Sequence, residues 1–479
     1  MSTPSASLAR LRSLDRRWFA AFLGLQALVL AAGLLASPML LLLAALGLAG
    51  GLYAVLVLLH PWLIAPIIVL TTSLDATGRL VTGASESFNL TGFHLAFLLT
   101  VVAVVANSCL RRRMAFPAFE LQVPLLVFLA VMAVSLIYSP NHPQAAVGFV
   151  RVACLVLFLY LTQLLLESKQ AVAAVVWTMA LVTVAGAVMG AYQVITGRFH
   201  LPVKVIEALG GNVPRATGTF RNPNIFASFL VAGVLPPLAL LLNHRMALVK
   251  RVLLLVSLLV GLGGLLATFS RSSWMAGMVG IMVVLWLSGK LRYFFAALLA
   301  GVVGVLALRQ FVPFAEYIFE RFVSIFTLIE QFGAVGSASG SARVFLVVAA
   351  VHMFVDHPLL GVGWRGFPIA FHQYAPVGFP HWTRVDESHT VLATVLAELG
   401  LVGFLAFVWF LVRTLRRGLS ALPQMRDSYL RAMLIGMIAT FVAFQVSQSF
   451  NGDLTNNTFW FYTGVLFAVI HLDEKQRRP

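Results

Sequence analysis

Charge is scarce in this chain, and acid scarcer still. Of 479 residues only 10% are Asp, Glu, Lys or Arg, and 17 acids stand against 33 bases. A soluble domain carries about 25% charged residues, so a chain that is 60% hydrophobic cannot coat itself with polar groups. Lipid must serve as its solvent. Cysteine is nearly absent, with two residues, Cys109 and Cys154, both in apolar runs. That excludes a disulfide framework and a cysteine metal cluster. No Walker glycine loop, no Asp-x-Asp pair and no His-Glu-x-x-His site occurs, so nucleotide hydrolysis and metal catalysis have no visible machinery. The net charge of +16 would suggest nucleic acid in a soluble protein; here it reads as the Lys/Arg bias of cytoplasmic loops, and nucleic acid is not expected as a partner.

What the chain has instead is long apolar runs. Runs near 18–36, 38–54, 56–72, 91–110, 121–138, 147–166, 170–195, 225–243, 251–269, 273–289, 293–312, 389–412, 431–450 and 458–472 are each near the length of a membrane span. The predicted fold is an all-α polytopic membrane protein of about 12–14 transmembrane helices. The uncertainty of count lies between 38 and 72, where Pro61 and Trp62 interrupt the run. Residues 1–312 form the first membrane part, 313–388 a large extramembrane insertion, and 389–479 the last spans. Basic groups at Arg10–Arg17, Arg111–Arg113, His244–Arg251, Lys290–Arg292, Arg413–Arg417 and Lys475–Arg478 all fall on one side. The positive-inside rule makes that side the cytoplasm, with both termini there and the first run a retained anchor.

The other side receives the 196–224 loop, the turn at 270–273, the insertion and the 451–457 turn. The insertion has a Gly/Ser lead at 336–340 and then helical periodicity from Ser341 to Phe354, which predicts a hinge and a helix on the membrane surface. Arginines recur on this outer side against topological preference. Arg151, Arg215, Arg221 and Arg271 border spans or short loops, where a basic residue is costly. Guanidinium groups suit bidentate phosphate recognition, so the set predicts an anionic head group held at the outer interface. The competing reading for any one of them is snorkelling to phospholipid. In Arg215-Ala-Thr-Gly-Thr-Phe-Arg221-Asn-Pro-Asn224, Gly218 and Pro223 mark turns, and Asn222 or Asn224 caps the next helix. Ser272 or Ser273 is expected to cap the helix after the 270–273 turn. Asp386-Glu-Ser-His389 sets a histidine at the head of an apolar helix, with Asp386 and Ser388 as possible caps. Gln445, Gln448 and Asn451 share a helical face and either line a pathway, as in a flippase, or bridge helices.

Three motifs in order carry a family resemblance. They are Arg215-x-x-Gly-x-Phe with Asn222-Pro-Asn224; Thr268-x-Ser-Arg271 at a span end; and Arg343 with His357-Pro-Leu-Leu-Gly-Val-Gly363, followed by His389-x-x-Leu-x-x-x-Leu-x-Glu398-x-Gly400-x-x-Gly403. Together they resemble the O-antigen ligase and polymerase superfamily of bacterial envelope enzymes. One departure is Thr390, where the family often has Asn. The resemblance implies a metal-independent, cofactor-free glycosyltransferase with a GT-C-like fold in the bacterial inner membrane. Its donor would be an undecaprenyl-diphosphate-linked glycan, and its acceptor lipid A–core in a ligase or another lipid-linked glycan in a polymerase; the ligase reading is preferred. On this reading His389 and Arg215 are catalytic. Arg151, Arg215, Arg221, Arg271 and Arg343 bind the diphosphate at a periplasmic active site.

Overall fold

The computed structural model describes residues 51–73, 79–82, 89–105, 119–198, 205–220, 222–308, 316–323, 340–375, 379 and 385–477, apart from single or paired positions within these stretches. The expected span at 18–36, nearly all of 38–54, the basic groups before residue 50 and Cys109 lie outside them. The chain divides into two compact units, residues 1–63 with 102–113 and residues 64–101 with 114–479. In the first, the described residues are mainly helical up to Leu59, and Pro61–Leu63 form one 3-10 turn, as the Pro61 interruption predicts.

The second unit is a helical bundle. Its helices are α1 (Ile64–Ser73), α2 (Gln122–Ser135), α3 (His142–Leu165), α4 (Lys169–Thr196), α5 (Pro223–Asn243), α6 (Leu248–Ala267), α7 (Arg271–Leu287), α8 (Arg292–Leu308), α9 (Gly340–Asp356), α10 (Phe367–Tyr374), α11 (Val391–Ala421), α12 (Ser428–Gln448) and α13 (Asn457–Arg477). Among the described residues six helices are long and apolar enough to cross a membrane: α3, α4, α5, α6, α11 and α12. Helices α2, α7 and α8 are shorter apolar helices. Helix α13 covers the 458–472 run, but its last turns carry Asp473, Glu474, Lys475 and Arg477. An all-α polytopic membrane protein is thus what the sequence forms, with two small exceptions. Antiparallel ribbons pair β1 (Arg79–Thr82) with β2 (Asn89–Thr91), and β3 (Val205–Ala208) with β4 (Gly211–Pro214).

Helix starts follow local chemistry. Asn141 accepts from Gln144 N at 3.3 Å with a proline in the first turn, Ser168 from Ala171 N at 3.2 Å, and Asp427 from Leu430 N at 2.9 Å. Helix α4 ends at Gly197, whose φ of +67° closes it in the left-handed region.

Helices α5 and α12 form the centre, each 78% buried over its most apolar window. They are antiparallel. Ser228 Oγ of α5 lies 2.7 Å from Ser447 Oγ of α12 at one end, and His244 Nδ1 lies 3.0 Å from Ser428 Oγ at the other. Without a hydrophobic drive between helices in lipid, close backbone approach does the packing. A Cβ at Gly436 of α12 would stand 2.7 Å from Pro236 Cα of α5. Helix α7 packs on both, α4 and α6 on α5, α11 on α2, and α13 on α3.

The two ends of the bundle differ in charge chemistry. At the His244–Ser428 end, Lys169 pairs with Asp427, and Arg417 pairs with Glu120 and with Glu474. Burial works to raise the Asp427 pKa, but the Lys169 ammonium and the Leu430 N–H outweigh it, so the carboxyl lies below its ordinary value. At the Ser228–Ser447 end, side-chain contacts among the described residues join hydroxyls, amides and an arginine.

The periodicity from Ser341 to Phe354 does form a helix, α9, but its apolar side is committed to protein. Leu346, Ala349, Ala350 and Met353 are buried with Phe367 and Phe371 of α10 and Ala397 of α11. Only Val351 and Val355 stay exposed among its large apolar residues. Sequence periodicity reports that a face is apolar; a neighbouring helix rather than the lipid surface covers most of it here.

Candidate active site

Ribbon β3–β4 delivers the chain to Arg215 at the Ser228–Ser447 end of the bundle. A loop there would leave backbone groups unpaired, and α4 supplies the answer. Gln193, fully buried, accepts Thr217 N at 2.9 Å and Gly218 N at 2.8 Å through Oε1. Its Nε2 donates to Gly218 O at 2.8 Å. Gly218 has φ +55° and lies on the ring of Phe226, where a Cβ would meet Cε2 at 2.8 Å. Ala216 N donates to Ala267 O at 3.0 Å, and Thr219 Oγ1 donates to Ser73 O at the end of α1. Asn222 caps α5 by accepting Asn224 N at 2.8 Å. Of the two candidate caps, Asn222 is the one used. Replacing Gln193 with Leu would orphan two buried backbone donors, the Thr217 hydroxyl and the Gly218 carbonyl. We expect it to cost about 2 kcal/mol or more and to depress any activity that depends on Arg215. Thermal unfolding in detergent checks this, and an unchanged midpoint would refute the anchoring role.

The loop's purpose is visible in Arg215. Its Nε donates to Thr268 O at 2.8 Å and its Nη2 to Asn224 Oδ1 at 3.0 Å. The guanidinium thus joins two sequence motifs more than 40 residues apart, and Asn224, freed from capping, holds it from the first turn of α5. The Thr268 turn is sharp. Phe269 has φ +50°, Thr268 Oγ1 bonds Leu265 O at 2.7 Å, and Trp274 Nε1 bonds the same carbonyl at 2.9 Å. Helix α7 then starts at Arg271, two residues earlier than a Ser272 cap requires. Ser272 and Ser273 are therefore buried in its first turn, with Ser273 Oγ 3.1 Å from the hydroxyl of Ser270, the actual cap position. The cause is the left-handed Phe269, which turns the chain into the helix sooner. Arg321, in the short helix at 316–323, donates through Nε to Phe269 O at 3.3 Å. The neighbouring carbonyls of Thr268 and Phe269 therefore collect Arg215 and Arg321, with Arg271 two residues on.

An apolar cavity of about 690 Å³ opens beside this loop. Ala187 of α4, Val213 and Pro214 of β4, Gly264 and Ala267 of α6, and Tyr317 help line it.

His389 stands at the same end, through α12. Thr390 Oγ1 donates to Ser449 O at 3.0 Å, just past the last turn of α12. Gly452 presses on the histidine so closely that a Cβ there would meet His389 Cα at 3.0 Å. His389 itself has φ +58°, a conformation that costs a non-glycine residue about 1–3 kcal/mol. Ser388 Oγ bonds Thr390 O at 2.9 Å and lies 2.8 Å from Thr394 Oγ1, but Thr390 is the cap position of α11. Thr390 therefore anchors the turn on α12 where the family often has Asn. A relay of contacts runs from Arg215 through Asn224, whose carbonyl accepts Ser228 Oγ at 3.0 Å, to Ser447 and the 449–452 turn under His389.

The remaining expected residues divide. Arg221 and Asp386 lie outside the described residues, as does the side chain of Arg343, whose backbone is in α9. Arg151 is exposed on α3, where its charge bears on His94. Of the amide face, Gln445 Nε2 donates back to Phe441 O at 3.3 Å, Gln448 is buried, and Asn451 is outside the described residues. Neither Gln193 nor Arg321 is among the residues that the sequence singles out. A lone amide near the outer end of an apolar span was the available signal for the first.

No curated protein matches the chain. Among solved structures, a chain from "Structural coordination of polymerization and crosslinking by a peptidoglycan synthase complex" is similar over 75% of this chain and 98% of that one, at 15% identity and a TM-score of 0.43. That likeness is too loose to assign an activity. The sequence match is more specific: residues 255–408, which hold the Thr268–Arg271 turn, His389 and Glu398, match the O-antigen ligase family model Wzy_C, in support of the resemblance that the motifs carry.

Proposed function

We propose that the chain transfers a polysaccharide from undecaprenyl diphosphate to a sugar hydroxyl of lipid A–core, with inversion, at the periplasmic face of the bacterial inner membrane. The observation that carries this reading is the fixed guanidinium of Arg215, held by Thr268 O and Asn224 Oδ1 beside Arg271 and at the bundle end that bears His389. In a membrane-boundary site, preset positive charge is worth most where negative charge grows during reaction. Arg215 and Arg271, extended by Arg221, Arg321 and Arg343, would hold the diphosphate. His389 would take the proton of the acceptor hydroxyl as its oxygen attacks the anomeric carbon. The bond from that carbon to the diphosphate breaks, and its electron pair leaves with the phosphate oxygen. The apolar cavity beside Pro214 and Ala267 would take the first prenyl units of the donor. Residues 313–388 would cover the site and exclude water, since hydrolysis competes.

The opposite end, with Lys169, Lys290 and Arg417, would then face the cytoplasm together with both termini. Deleting the gene tests acceptor choice. Loss of capped core with accumulation of lipid-linked polymer is the expected result. Core carrying single repeats would instead identify a polymerase of the same superfamily. Product formation by purified protein in detergent separates either enzyme from a flippase, which needs a sealed membrane.

A further inference from the structure

A second pair of guanidinium groups, Arg151 of α3 and Arg365 of the 357–366 loop that docks on the helix headed by His389, lies away from the contacts of Arg215. Gly400, at φ +62°, interrupts α11 and turns its backbone outward to the 357–366 loop. Val362 N donates to Ala397 O and Gly363 N to Glu398 O, both at 2.9 Å, and Leu401 N returns to Pro358 O at 2.8 Å. A Cβ on Gly400 would stand 2.4 Å from Leu359 backbone, and one on Gly361 2.4 Å from Glu398 backbone, so both glycines are demanded by the approach. The docked loop is fixed on its other side by the turn between α2 and α3. Tyr138 OH donates to Leu360 O and Ser139 Oγ to Trp364 O, each at 2.7 Å.

This clamp ends in Arg365. Glu398, 2% exposed, accepts Phe367 N at 3.1 Å and the backbone N–H of Arg365. Arg365 is held at φ +58°, with its guanidinium 5.5 Å from the centre of the Trp364 ring. A Cβ on Gly148 of α3 would stand 2.6 Å from Trp364 Nε1 and 3.3 Å from Arg365 Nε, so the glycine admits the Trp364–Arg365 pair to the helix face. Arg151 follows Gly148 by three residues and shares its helix face. Neither guanidinium forms an ion pair or a side-chain hydrogen bond among the described residues. The Arg365 side chain is thus carried by a strained backbone to the face of α3, one helical turn before Arg151. Such an arrangement favours an anion that bridges them.

We propose that Arg151 and Arg365 form an anion seat that takes a phosphate group of the acceptor glycolipid. The assignment to acceptor rests on the function proposed above. The base must touch the acceptor hydroxyl, and α11 carries both His389 and the Gly400 interruption on which the Arg365 loop is built. A phospholipid head group offers the same chemistry, and the test separates the two sources.

The probes are lipid A–core with its phosphates intact and the same material after phosphatase treatment, bound to the full-length protein in nanodiscs of neutral lipid. Arg365→Gln is expected to weaken binding of the phosphorylated probe about tenfold and to leave donor KM unmoved. Phosphatase treatment should weaken wild-type binding by a similar factor and erase the difference between wild type and variant. Arg365→Lys, which keeps the charge, should retain more affinity than Arg365→Gln. Equal loss on both probes, or a raised donor KM, overturns the proposal. Abolition of the wild-type preference by phosphatidylglycerol in the nanodisc also overturns it, and assigns the seat to phospholipid. Because binding is read without turnover, phosphate-dependent binding in a protein that transfers no glycan would refute only the proposed function.

Discussion

Arg215→Ala should lower the rate of glycan transfer by about 100- to 1000-fold, the usual cost of removing one preset donor from a developing anion. The expectation follows from where the guanidinium is spent. Two of its edges are already used, on Thr268 O and Asn224 Oδ1, so it does not search for substrate but waits in place. Arg215→Lys is expected to recover only part of the loss, because an ammonium lacks the planar fork that holds Thr268 O and Asn224 Oδ1 together. The measurement is single-turnover transfer from purified lipid-linked donor in detergent, with thermal unfolding alongside. A variant with a wild-type melting curve and a wild-type rate would remove Arg215 from the chemistry.

The second large effect is at His389. His389→Ala should cost about 100- to 10,000-fold in rate, the range for a positioned general base. The backbone complicates the reading, since φ is +58° and alanine tolerates that region poorly. Asparagine is more at ease there, so His389→Asn keeps the turn on Ser449 and Gly452 while removing the base. It should be as slow as alanine and more stable. A fast His389→Asn enzyme would mean that the turn, not the imidazole, is what transfer needs.

Both effects depend on a placement that was only half legible in the residues. Apolar runs of span length announced the bundle, because lipid imposes a length and a polarity that local composition can report. Arg215 and Arg271 are suspect because charge at a span border is costly, and Asn222 or Asn224 reads as a cap by its chemistry; the structure selects Asn222. Other features were silent. Ser272 and Ser273 looked like caps until Phe269 at φ +50° moved the helix start to Arg271. The Ser341–Phe354 periodicity could not say whether lipid or α11 covers it. Gln193 is an unremarkable amide until Thr217 and Gly218 are folded against it.

The sequence by itself determined that this is a many-helix membrane protein, that one set of arginines borders its spans, where a basic residue is costly, and which superfamily its motifs resemble. These are properties of single residues measured against lipid, and no fold is needed to weigh them. The tertiary structure decided which arginine meets which carbonyl, that Asn224 holds Arg215, and that the His389 turn rests on α12 at the bundle end where α5 begins. It also decided that Arg365 is carried to the face of Arg151. Hydrogen bonds reach about 3 Å and require aligned partners, so pairings between residues dozens or hundreds of positions apart exist only once the helices have packed.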